Sequence, residues 1–174
     1  INFIDAAATG AMNGLQMVGA IGAMLLAFIA LIAMVNGMLE AGGAWLGIEQ
    51  LTLERVLGGI LQPLAWALGI PWDEAQLAGS LIGQKFILNE FVAYVTYSEV
   101  ADQLSAHSQA IVIFALCGFA NLSSIAILLG GLGAVAPERR DDISRYGFRA
   151  LIAASLSNLM SAALAGFFLT LGAA

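Results

Sequence analysis

Charged side chains are scarce in this sequence, at 10% of its 174 residues, while 60% are hydrophobic. A water-soluble domain carries about 25% charge, so the bilayer is the expected solvent. A buried soluble core competes poorly, because the stretches Gly14 to Leu39 and Ala150 to Ala174 carry almost no charge. Basic residues are scarcer still, six Lys and Arg against twelve Asp and Glu, for a net charge of -6. Nucleic-acid binding, which needs a concentrated basic surface, is excluded as a partner class. The single Cys117 rules out an intrachain disulfide and, set in an apolar run, is assigned to packing. The single His107 has no second His, Cys or carboxylate cluster at ligand spacing, so no metal site is expected and it is read as a solvated loop residue. No G-x-S-x-G elbow is present, and the Gly-rich run Gly130 to Val135 has no P-loop lysine and follows no strand. Neither an enzyme nor a cofactor is therefore expected. The opening INFIDAAATGAMNG has neither an initiating Met nor the basic n-region of a cleavable signal, and it is read as the start of an internal piece of a longer protein.

What is present is a series of apolar segments with distinct interruptions. Residues 12–40 form the firmest span, long enough as a helix to cross a ~30 Å hydrocarbon core with tilt to spare. From 41 the pattern turns Gly-rich, and all three tryptophans, Trp45, Trp66 and Trp72, fall between there and Asp73. Indoles settle at the headgroup level, so residues 51–70 are read as an interfacial helix, broken at Pro63 and again at Pro71. In residues 73–98 the apolar pieces on either side of Gly83-Gln84-Lys85 are each too short to cross alone, and they suit a re-entrant helical hairpin; a single kinked span is the alternative that length does not exclude. Residues 108–136 are again long enough to cross, but FANLSS stands at their centre. Asn and Ser compete with the backbone for hydrogen bonds, so a discontinuous helix is expected there. A last helix covers 141–173. Four of the six basic residues, Arg139, Arg140, Arg145 and Arg149, crowd into Pro137 to Arg149, which by the positive-inside rule places that loop in the cytoplasm and the C-terminus outside. The fold class is therefore all-α and integral to a membrane.

The chemistry resides in the interruptions. A carboxylate at membrane depth costs several kcal/mol unless neutralised, paired or hydrated, so Glu90 requires an explanation. It can pair with Lys85 in a structural ion pair, accept hydrogen bonds from a hydroxylated ligand in a wet cavity, or carry a proton. Five-residue spacing counts mildly against the pair, since i and i+5 point about 140° apart on one helix. Asn121 and Ser124, three residues apart, share a face if that turn stays helical, where they suit either sugar hydroxyls or interhelical hydrogen bonding. Phe119 can stack on a planar base, although packing is the commoner use of one aromatic on a membrane helix.

The run Gly83-Gln84-Lys85-Phe86-Ile87-Leu88-Asn89-Glu90-Phe91-Val92-Ala93-Tyr94 resembles the signature of the concentrative nucleoside transporters. Ala115 to Ser124, Gly130 to Arg140, Leu61 to Trp66 and Asn36 to Leu39 are similar to that family in the same order, which extends the resemblance over essentially the whole chain. The resemblance implies a homotrimeric, elevator-type symporter of the bacterial inner membrane that accumulates nucleosides using a cation gradient. By matching positions it assigns Glu90, Asn121 and Ser124 to the ribose and Phe119 to the neighbourhood of the base, with Lys85 and Asn89 in structural or gating roles. The family's N-terminal half, with its own hairpin and most contacts to the nucleobase and to the sodium ion or proton, has no counterpart in these residues. The competing reading is a membrane scaffold or assembly subunit in which Lys85 and Glu90 lock two helices.

Overall fold

The computed structural model describes residues 2–125 and 137–172, which are helical or in turns and contain no strand. The described chain falls into two compact units, Ile1–Leu53 and Glu54–Ala174.

The first unit is built on one helix, α1 (Phe3–Leu46), longer at both ends than the expected 12–40. Asn2 caps its start, its side chain accepting from the Ile4 amide at 3.3 Å. The Gly-rich stretch after Glu40 is helical, and at Gly43 the missing side chain makes room for the returning chain: a Cβ there would lie 2.7 Å from the Ile48 carbonyl oxygen and 2.8 Å from Leu51. The helix stops at Gly47, whose φ of 70° is open to glycine and costly for other residues. Ile29–Leu46 is long and apolar enough to cross a bilayer.

All but the first residue of α2 (Leu53–Ala67) belongs to the second unit, and the helix runs through Pro63 without a break. The amide that proline lacks would have bonded the carbonyl of Gly59, an exposed position where the loss costs little. Instead α2 ends in a Schellman turn, with Ile70 N–H donating to the Ala65 carbonyl, Gly69 N–H to that of Trp66, and Gly69 at φ 102°. Pro71 then caps α3 (Trp72–Ile87). α2 rests on α3 almost backbone to backbone, since a Cβ on Gly58 would meet the Gln76 carbonyl at 2.6 Å and one on Gly79 the Leu61 carbonyl carbon at 2.9 Å.

After a two-residue turn at Leu88 and Asn89 the chain reverses into α4 (Glu90–Val100), so the segment expected at 73–98 is two helices and a turn. Reversal follows from one bond: the Thr96 hydroxyl donates to Gln84 Oε1 at 2.9 Å across twelve residues, which would be ~18 Å apart along one helix. A short 3-10 turn (Ala101–Gln103) leads to α5 (Ala106–Leu116), and after an interruption residues 122–125 are helical again. His107 is thus a half-buried residue in the first turn of α5, packed near Gly69 and Gly166, and not a solvated loop residue. The rest of the segment expected at 108–136, including Gly130 to Val135, lies outside the described residues. A 3-10 turn (Pro137–Arg139) precedes α6 (Arg140–Gly172), whose Ser144–Gly172 stretch is long and apolar enough to cross a bilayer. α6 lies against α5, with Gly166 so close that a Cβ would fall 2.6 Å from Ile111 Cδ1. The core is small and apolar, made of Ala75, Ala78, Leu81 and Ile82 of α3, Ala93 of α4, Ile111, Val112, Ala115 and Leu116 of α5, and Leu159 and Ala162 of α6. Alanine at so many core positions lets four helices approach closely enough for short polar side chains to bridge them.

Candidate functional site

Two helix starts converge where the chain is interrupted, and each is capped by an asparagine. Asn89 precedes α4, and its Oδ1 accepts from the Val92 amide at 2.9 Å. Asn121 precedes the helical turn 122–125, and its Oδ1 accepts from the Ser124 amide at 2.8 Å while the Ser124 hydroxyl donates to the Asn121 carbonyl at 2.6 Å. This arrangement satisfies the free amides of a helix start. Asn121 and Ser124 therefore do not share a helical face. They form a cap, and the cap leaves the Asn121 amide nitrogen unused. That nitrogen donates to Glu90 Oε2 at 3.0 Å, joining the first turn of α4 to the interruption after α5. Asn121 is fully buried, Ser124 and Asn89 nearly so, and Glu90 half-buried.

Glu90 is the first residue of α4, where unsatisfied amides carry a partial positive charge, and the turn 122–125 brings a second helix start beside it. Lys85 has the complementary position in the last turn of α3. It does not pair with Glu90: its fully buried ammonium donates to Asn158 Oδ1 on α6 at 2.7 Å. Asn158 in turn donates from Nδ2 to the Phe114 carbonyl at 2.9 Å, filling an acceptor that the early end of α5 leaves without a helical partner. The lysine thus ties the hairpin to α5 and α6, and the structural Lys85–Glu90 lock is replaced by a Lys85–Asn158–Phe114 link. Gly118 is where the link passes the chain, for a Cβ there would sit 2.5 Å from the Asn158 amide.

Because the ammonium is buried, removing its acceptor should cost more than removing both groups. Asn158→Leu is expected to destabilise the full-length protein by about 3 kcal/mol, and Lys85→Met in the same chain to recover most of that. Thermal unfolding of the single and double variants measures it; additive losses would mean that the two side chains are not coupled.

Several contributors were not among the expected site residues. The Ser123 hydroxyl donates to Asn121 Oδ1 at 2.6 Å and reaches the Leu88 carbonyl at 3.2 Å, stitching the cap to the hairpin turn. Tyr94 Oη donates to the Ile113 carbonyl at 3.0 Å and lies 3.2 Å from Cys117 Sγ. Cys117, the residue after the last of α5, is exposed and not a packed core residue. Phe119 is 60% exposed in the interruption and leaves its ring free of the core. Doubled serine at 123–124 and a lone Asn in the last apolar run were visible signals for Ser123 and Asn158, but nothing in linear spacing says which helix each would reach.

The family model described as "Na+ dependent nucleoside transporter C-terminus" matches residues 1–166. The chain is similar to the putative nucleoside permease NupX of Escherichia coli, 51% identical over 98% of this chain and 42% of the relative. It is also similar to the nucleoside permease NupC of Helicobacter pylori, 48% identical over 99% of this chain and 43% of that protein. Among solved structures, CNTnw in an inward-facing substrate-bound state superposes with a TM-score of 0.91 at 57% identity, covering 99% of this chain and 43% of that one. The chain thus spans less than half the length of these relatives, which are permeases and transporters and not enzymes. With the membrane-length helices and the capped, charged interruptions already described, these likenesses establish that the chain belongs to the Na+-dependent nucleoside transporter family, as its C-terminal portion.

Proposed function

We propose that this chain supplies the ribose-binding half of a cation-coupled nucleoside symporter. The observation that carries the reading is the meeting of Glu90 with the Asn121–Ser124 cap at 3.0 Å, a carboxylate, an amide and a hydroxyl at two helix starts. Adjacent sugar hydroxyls need acceptors that are stronger than water and fixed in direction. An ionised carboxylate in a sheltered site offers two such oxygens, while the amide and hydroxyl orient the ring. Phe119, exposed beside the cap, lies against the base.

In this reading α3 and α4 form a re-entrant hairpin that dips into the membrane and returns, α5 and the turn 122–125 are halves of a discontinuous transmembrane helix, and α2 lies at the interface. The nucleobase and the coupling cation, sodium or proton, bind mainly to the N-terminal half of the longer protein. That protein works as a homotrimer, carrying the site across the bilayer of the bacterial inner membrane by an elevator movement, with residues 137–149 cytoplasmic and the C-terminus outside.

The test is ligand-dependent stability of the full-length protein. Uridine or adenosine at a hundred times its dissociation constant should stabilise the fold by about 2.7 kcal/mol, raising the unfolding temperature by a few degrees. No shift with either nucleoside, at concentrations up to several millimolar and with sodium or at acidic pH, would leave the chain a membrane scaffold.

A further inference from the structure

The basic start of α6 has no place in nucleoside binding. Arg145 and Arg149 are exposed, one helical turn apart and therefore on one side of α6, at the first end of its apolar stretch Ser144–Gly172. Arg139 already forms an ion pair with Asp142 at 2.7 Å. By contrast, among the described residues no carboxylate lies within ion-pair distance of Arg145 or Arg149; Asp141, one turn before Arg145, is exposed and does not pair with it. The Arg145 guanidinium stands 5.7 Å from the ring centre of Tyr146. Among the described residues, two cations without an ion-pair partner thus stand at one end of a stretch long and apolar enough to cross a bilayer.

Directly along the same side of the helix runs an apolar groove of about 370 Å³, lined chiefly by Phe148, Ile152 and Leu156 of α6, Phe86 and Ile87 of α3, and Leu122 after the interruption. Phe148 and Ile152 follow Arg145 by three and seven residues, and Ile152 and Leu156 follow Arg149 by the same steps, so cations and groove form one stripe. Beside the groove, Gly147 lets α6 approach the turn 122–125, for a Cβ there would lie 3.0 Å from Ile125. From Phe148 to Leu159 the groove follows α6 for ~16 Å, most of the length of an extended acyl chain.

We infer that this stripe is a binding site for one anionic phospholipid, its phosphate held by Arg145 and Arg149 and an acyl chain lying in the groove. Charge complementarity chooses the occupant. A guanidinium pair at headgroup level is suited to phosphate, whereas an apolar helix of the longer protein would leave both cations unmatched and a soluble anion would leave the groove unused. Because Phe86 and Ile87 belong to the last turn of α3, the acyl chain touches the hairpin next to its turn, which couples lipid occupancy to the element that carries Glu90.

The full-length transporter, held in phosphatidylcholine and offered phosphatidylglycerol, tests the site by native mass spectrometry of retained lipid. Phosphatidylglycerol should be retained in preference to phosphatidylcholine. The double variant Arg145→Gln/Arg149→Gln should bind it about 30-fold more weakly, the effect of removing two juxtamembrane cations. Ile152→Trp, which fills the groove and keeps both arginines, should also lower retention, while Arg139→Gln should not. Equal retention of the two lipids by the unaltered protein, or undiminished phosphatidylglycerol on the double variant or on Ile152→Trp, would overturn the inference.

Discussion

Glu90→Gln in the full-length transporter is expected to lower nucleoside affinity and low-concentration uptake by about 30- to 150-fold. The substitution keeps the shape, and the amide oxygen of Gln can still accept from Asn121 Nδ2, which now lies 3.0 Å from Glu90 Oε2. What it removes is charge. Two hydrogen bonds to ribose hydroxyls change from charge-assisted to neutral, a loss of roughly 2 to 3 kcal/mol in all. Thermal stability without ligand should fall by only about 1 kcal/mol, from the weakened Asn121 bond and the lost charge at the helix start, because the two caps themselves, Asn89 to Val92 and Asn121 to Ser124, do not involve the charge. Equilibrium binding and initial uptake rates distinguish the two quantities. Uptake equal to the unaltered protein would remove Glu90 from the site, and loss of folded protein would make it a structural residue.

The second large effect is on the ligand side. A 2′,3′-dideoxynucleoside should bind at least ~150-fold more weakly than its ribonucleoside, since both partners of the carboxylate are missing and roughly 3 to 6 kcal/mol of charged hydrogen bonding goes with them. The two predictions constrain each other. If Glu90 is what recognises the hydroxyls, Glu90→Gln must shrink the gap between ribonucleoside and dideoxynucleoside, because a neutral amide gains less from either hydroxyl. Competition of each ligand against labelled uridine, in both proteins, measures that coupling. A gap of unchanged size in the variant would mean that the hydroxyls are read elsewhere, and the proposed division of the site between sugar here and base in the N-terminal half would fail.

These expectations rest on groups that the sequence singles out, although their partners could not be read from it. Glu90 stood out because a carboxylate at membrane depth demands a partner, and Asn121 because polar residues that compete with the backbone interrupt helices. The interruption was legible, but the cap was not. Spacing of three residues suggested a shared helical face, whereas the Asn121 side chain turns back to the Ser124 amide and begins the helix instead. Pro63 misled for a related reason. Proline removes one hydrogen bond, and whether a helix survives depends on what the freed carbonyl meets, here that of an exposed glycine. Cys117 and His107 were judged by the company of their neighbours in the chain, and both judgements failed: α5 starts at Ala106 and takes in His107, and Cys117 is exposed among apolar neighbours.

The sequence by itself determined the solvent, the order of the helical segments and the few polar residues within them, because composition and local hydrogen-bond competition act over one or two turns. Tertiary structure alone decided who meets whom. Glu90 reaches Asn121 across 31 residues and Lys85 reaches Asn158 across 73. No periodicity encodes such distances. They follow from alanine and glycine faces that let α3, α4, α5 and α6 pack closely enough for short side chains to span the gap, and so it was packing that separated Lys85 from Glu90 and left the carboxylate turned to the cap.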